Sequence, residues 1–124
     1  MNTKNDLMLH EEILLLALHD DKGTISNSGF FTSAMGGAIL SELVLRKAVS
    51  ISKDKDKKVI LLDDALTGDA VVDECLAKIK DEKKEKKATH WVSNFSGVKN
   101  LKNRTARELV AKGILTEDQD KVLG

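Results

Sequence analysis

The chain has 124 residues, with 20 basic and 20 acidic side chains and a formal net charge of +0. That length fits one domain around one core, taken as residues 1–124, and 41% hydrophobic residues is too many for a disordered chain. The charge balance excludes a wholesale polyanion binder, and the lone Cys75 excludes an internal disulfide or a Cys-rich zinc site.

In chain order, the periodicity predicts a helix over 7–19, with Leu7, Leu14 and Leu18 in one stripe and Asp6 as its cap. Its apolar run Ile13 to Leu18 is the longest in the chain at six residues, against the roughly 20 that a membrane span needs. The N-terminus also lacks the pattern of a signal peptide. Membrane contact is therefore expected to be peripheral. Asp20 to Gly23 reads as a turn and Thr24 to Ser26 as extended. A second helix is predicted over 32–47, capped by Thr32 or Ser33, with Met35, Ile39, Leu40 and Leu43 inward. Gly36 and Gly37 interrupt it at a cost of about 1 kcal/mol each relative to Ala. Close helix packing is the first explanation, and close approach of a ligand the second.

Residues 48–52 and 58–62 read as a hairpin around a charged tip. Thr67 to Asp69 opens a third helix, expected to run to about Lys87 with Val72, Cys75 or Leu76, and Ile79 inward. Trp91 and Phe95, four apart, share a helix face. A last long helix covers 100–112 and ends at Gly113. Thr116 and Gln119 have the spacing of a capping box. The fold class is mainly α: a compact helical domain with one small β-hairpin.

The neutral total hides blocks. Residues 1–21 carry net −4 and residues 59–77 net −5, whereas 53–58, 78–87 and 98–112 carry +2, +3 and +4. The first two basic blocks read as solvated charge, but in 98–112 the bases interleave with apolar residues on a helix.

Catalytic chemistry is absent from the pattern. His10, His19 and His90 are scattered, no metal-loop or phosphate-binding glycine motif is present, and acidic neighbours of Cys75 raise its pKa. The expectation is a non-enzyme with no catalytic residues, no metal and no cofactor.

Four segments together carry a resemblance: Leu9 to Leu18 followed by Asp21-Lys22-Gly23; Gly37 to Arg46; Leu66-Thr67-Gly68-Asp69 followed by Asp73 to Leu76; and Arg104 to Leu115, with Trp91 between the last two. In order and spacing the chain resembles the Golgi phosphoprotein 3 family, matching the N-terminal part of the family domain. The resemblance implies a helical domain that binds phosphatidylinositol 4-phosphate on the cytosolic face of Golgi membranes and engages the cytosolic tails of glycosyltransferases. The family head-group site combines an aromatic after the first turn, a base in the second helix and two bases at the start of the late helix. The late pair falls on Lys99 and Lys102, with Arg104 next. The second-helix base falls on Gly36 and the aromatic near Asn27 or Ser28, so both are replaced. Phe30 or Phe31 is expected to supply membrane contact instead.

The expected partner is an anionic phosphoinositide head group or membrane surface, with protein tails as further partners. The chain ends where the family continues into a self-association hairpin, so a homodimer is expected. The alternatives are a scaffold of the same fold without lipid specificity and a winged-helix nucleic-acid binder. The second is disfavoured because the reading helix would carry only Arg46 and Lys47, at its end.

Overall fold

The computed structural model describes residues 7–20, 22 and 29–116. Within them the chain forms α1 (Leu9–Leu18), α2 (Phe30–Leu45), a hairpin of β1 (Val49–Ile51) and β2 (Val59–Leu61), α3 (Ala70–Asp81), α4 (Ala88–Ser96) and α5 (Leu101–Ala111). The expected mainly helical fold with one small hairpin is the observed one. The predicted cap Asp6, the turn at Asp21 and Gly23, the extended Thr24 to Ser26, and Gln119 lie outside the described residues.

α2 is the central element. It packs on α1 along one side and on α4 along another, and α5 closes against α1. Its inward positions Met35, Ile39, Leu40 and Leu43 are buried, and they join Leu14 and Ala17 of α1, Val72 and Cys75 of α3, Trp91 and Phe95 of α4 and Leu109 of α5 in one hydrophobic core. Gly36 explains the α2–α4 contact. A Cβ at this position would collide with Ser96 Oγ and the Val92 carbonyl, so only a glycine lets the two backbones approach this closely. Gly37 has open space where its Cβ would be. α2 and α4 run antiparallel, because the start of α2 lies by α5 and its end by the hairpin.

Three boundaries differ from expectation. α1 is capped from inside, its Glu11 Oε1 accepting from the Met8 N–H (2.9 Å). α2 begins at Phe30 after Gly29, with no side-chain cap, so Thr32 and Ser33 lie inside the helix rather than before it. α3 ends at Asp81, not near Lys87. After that point the all-charged sequence has no apolar face to bury, and the chain instead returns to the hairpin. The Ala88 N–H donates to Lys57 O (2.8 Å) and the Val59 N–H donates to Lys86 O (2.9 Å).

The four segments that carry the family resemblance meet in one polar cluster. Glu11 is fully buried and accepts from Lys112 Nζ (2.6 Å). Glu42 accepts from the Leu9 N–H and from Arg46 Nε, both at 2.9 Å, which ties the first turn of α1 to α2. Asp69 accepts from the Val72 N–H (3.0 Å) and caps α3, while Asp73 takes the N–H and hydroxyl of Thr67 at 2.7 Å. These charges hold helix ends together, and such pairing is what lets carboxylates sit inside a fold.

Candidate functional site

The start of α5 has the chemistry of an anion site. Asn100 precedes it in the left-handed region (φ 58°), and its side chain makes no cap hydrogen bond. The Leu101 N–H donates to Val98 O and the Arg104 N–H to Asn100 O, while the N–H groups of Lys102 and Asn103 have no acceptor among the described residues. A helix start with free N–H groups, at the positive end of its dipole, attracts anions. Lys99 is exposed on the turn leading into it. Lys102 Nζ lies 5.9 Å from the centroid of the Phe31 ring, a cation–π distance that holds the ammonium over the start of α2.

The other expected site residues are placed as follows. Phe31 is 3% exposed, so it is a core residue and a platform for Lys102 rather than a membrane-inserting side chain. Its neighbour Phe30 is 84% exposed. Gly36 lies beneath α4, its Cα facing Val92 and Ser96 rather than open surface. Arg104 turns away from Lys99 and Lys102 and pairs with Glu74 of α3 at 3.0 Å. The structure thus brings Lys102 onto Phe31, with exposed Lys99 and Phe30 their near neighbours in the chain, and turns Gly36 toward α4 and Arg104 toward Glu74. Asn27 and Ser28 lie outside the described residues.

Sequence reasoning missed two components. The free backbone N–H groups of Lys102 and Asn103 are one; the available signal was Asn100, a residue type that tolerates left-handed backbone, directly before the helix. The lysine–phenylalanine contact is the other, and no local signal reports it because α2 and α5 are far apart in sequence.

Elsewhere, Cys75 is buried and its thiol is pushed up to about 12, first by desolvation and only secondarily by Glu74 and Asp69. Desolvation rather than neighbouring charge is thus what chiefly keeps the thiol protonated. His10 is fully buried, 3.8 Å from Asp69 Oδ2, and neither ring nitrogen has a hydrogen-bond partner among the described residues. Burial holds its pKa below the ordinary value, outweighing the attraction of Asp69, Glu11 and Glu42. A concavity of about 480 Å³ lined by Leu40, Val44, Leu45, Ile51 and Val92, with Ser41 its one polar side chain, is mainly apolar and carries no basic group for an anion. No group of three or more metal-binding side chains is present among the described residues. Among them, too, no helix is long and apolar enough to cross a membrane.

Comparison with known proteins agrees with this architecture. The sequence profile of the Golgi phosphoprotein 3 (GPP34) family matches residues 9–124. The chain therefore belongs to the Golgi phosphoprotein 3 family. It is 31% identical over 137 aligned positions to vacuolar protein sorting-associated protein 74 of Schizosaccharomyces pombe, an alignment that covers 94% of this chain and 40% of that protein.

Proposed function

We propose that this chain is a non-enzymatic, peripheral membrane adaptor that binds phosphatidylinositol 4-phosphate at the start of α5. The observation that carries this reading is the uncapped helix start flanked by Lys99 and Lys102 beside the exposed Phe30. The 4-phosphate would accept from the N–H groups of Lys102 and Asn103, with the two ammonium groups around it. Each base near an anionic surface adds about 1 kcal/mol. Phe30 would enter the interface as an apolar anchor. Family membership and the relative's name support a role in membrane traffic, with the Golgi cytosolic face as the proposed location and cytosolic protein tails as further partners.

The decisive experiment is sedimentation with vesicles containing phosphatidylinositol 4-phosphate, compared with phosphatidylserine vesicles of equal charge. Preference for the phosphoinositide, lost in Lys99→Ala/Lys102→Ala, is the expected result. Equal binding to both vesicles would leave the second reading, a scaffold of the same fold without lipid specificity. The placement of Gly36 beneath α4 favours that rival, because the position of the family's second-helix base contributes no charge here.

A further inference from the structure

A second basic region is assembled only by the fold. Residues 53–58 and 83–87 are far apart in sequence, yet Lys58 faces Lys87 in an antiparallel bridge. Together these stretches hold eight lysines against three carboxylates. The bridge places the chain around Lys86 alongside β2 as the beginning of a third strand, and then that chain departs.

The register shows what it leaves open. β1 and β2 pair Val49 with Leu61, Ser50 with Ile60 and Ile51 with Val59. The Ser52 N–H donates to Lys58 O and the Leu62 N–H to Ala48 O, so even-numbered residues of β2 turn their backbone groups toward β1. Val59 and Leu61 therefore turn theirs outward. The Val59 N–H is taken by Lys86 O, and the Leu61 N–H has no acceptor among the described residues. Beside this edge is a cleft of about 200 Å³. Its apolar side is Val59, Ile79 and Trp91, and its rim carries Lys83, Lys84 and Lys86, with Lys80 beside them, against Glu82 and Glu85, so that lysine remains in excess. Trp91 Nε1 is buried with no acceptor among the described residues. Exposed backbone edges of this kind template the pairing of another strand.

We infer that this edge of β2 takes an extended acidic segment of a partner protein. The segment pairs its backbone with Leu61, seats one apolar side chain against Val59, Ile79 and Trp91, and sets carboxylates on Lys83, Lys84 and Lys86. Charge complementarity selects an acidic partner. A membrane docked at Phe30 does not compete for this site. Lys102 sits over the start of α2, the hairpin follows its end, and 16 helical residues separate the two by about 24 Å.

Trp91 is the only tryptophan, so its emission reports the cleft directly. The 124-residue chain is titrated with a short labelled peptide alternating Glu and Val, with a Lys/Val peptide as control. The expected result is a saturable change in Trp91 emission and in peptide anisotropy with the acidic peptide alone. Lys83→Glu/Lys84→Glu should weaken it roughly tenfold or more, with unchanged circular dichroism because both residues are exposed loop positions. Leu61→Pro, which removes the outward N–H at an edge position where proline is tolerated, should weaken it as well. Lack of a saturable response, equal binding by the charge-reversed variant, or unaltered binding by Leu61→Pro overturns the inference. So does an effect of the lysine reversals on phosphatidylserine vesicle binding in place of peptide binding.

Discussion

α3 and α5 begin in opposite ways. The N-terminus of α3 is closed by the chain's own carboxylates. Asp69 caps the Val72 N–H, Asp73 binds Thr67 and the Gly68 N–H, and both add negative charge where the dipole is positive. The N-terminus of α5 has neither a side-chain cap nor an acid in its first turn, and lysines flank it. The same backbone chemistry is therefore spent internally at α3, where it fixes a helix against the core, and left available at α5. The difference teaches that basic charge alone does not mark the site. Of the two lysine-rich stretches, 53–58 leads into no helix, and 83–87 leads into α4, whose start also lacks a side-chain cap but whose first N–H is already donated to Lys57 O.

The comparison can be broken at Gly36, where α2 and α4 meet. Gly36→Arg restores the base that the family pattern places there. It should nonetheless destabilise the protein by about 1–3 kcal/mol or more, because the new side chain meets the α4 backbone at Val92 and Ser96. A urea midpoint at or above that of the wild type, together with tighter phosphoinositide binding, would show that α4 does not roof this position.

Lys99→Ala/Lys102→Ala removes about 2 kcal/mol of surface attraction, roughly a thirtyfold loss in vesicle affinity, with the thermal midpoint lowered only slightly by loss of the Lys102–Phe31 contact. Lys83→Ala/Lys84→Ala should leave the same vesicle affinity intact, which separates the two basic regions.

Next in size is the closed helix start. Asp69→Ala should cost about 1 kcal/mol by chemical denaturation through loss of the cap, while vesicle binding at α5 stays as it was. Conversely, Asn103→Glu places a carboxylate in the first turn of α5 and makes it resemble α3. Stability should rise by about 0.3–1 kcal/mol while phosphoinositide binding falls, an opposition of sign that a purely structural role for this turn would not produce.

The smallest expected effect concerns His10, beside the Asp69 cap. Its pKa is lowered in the folded protein, so from pH about 6.5 downward the unfolded chain binds more protons than the folded one. Stability should therefore be full above that pH and decline as pH falls toward the folded-state pKa. His10→Leu should flatten this part of the profile in urea titrations at several pH values.

Much of the fold was legible in the sequence. Met35, Ile39 and Leu43 recur at helical spacing and are buried together, and Trp91 and Phe95 share a helix face as their four-residue separation requires. Thr67 to Asp69 opens α3 as its polar side chains predict. The end of α3 was not legible, because a run of charged residues reads alike as a solvated helix or a loop, and pairing with the hairpin decides between them. At the site, Lys99 and Lys102 could be picked out by alignment to a family pattern. The division of labour between Phe30 and Phe31 could not, since adjacent aromatics on a helix differ only in which faces the core.

By itself, the sequence determined the helical elements, the hydrophobic core, the glycine that packing required and the family to which the chain belongs. These follow from local periodicity and residue type. Tertiary structure alone decided which charges are spent inside and which remain available. Glu11, Glu42, Asp69 and Lys112 pair across helices distant in sequence, Arg104 is drawn to Glu74, and Lys102 is held over Phe31. Electrostatic role depends on distance and burial, and neither exists until the helices have packed.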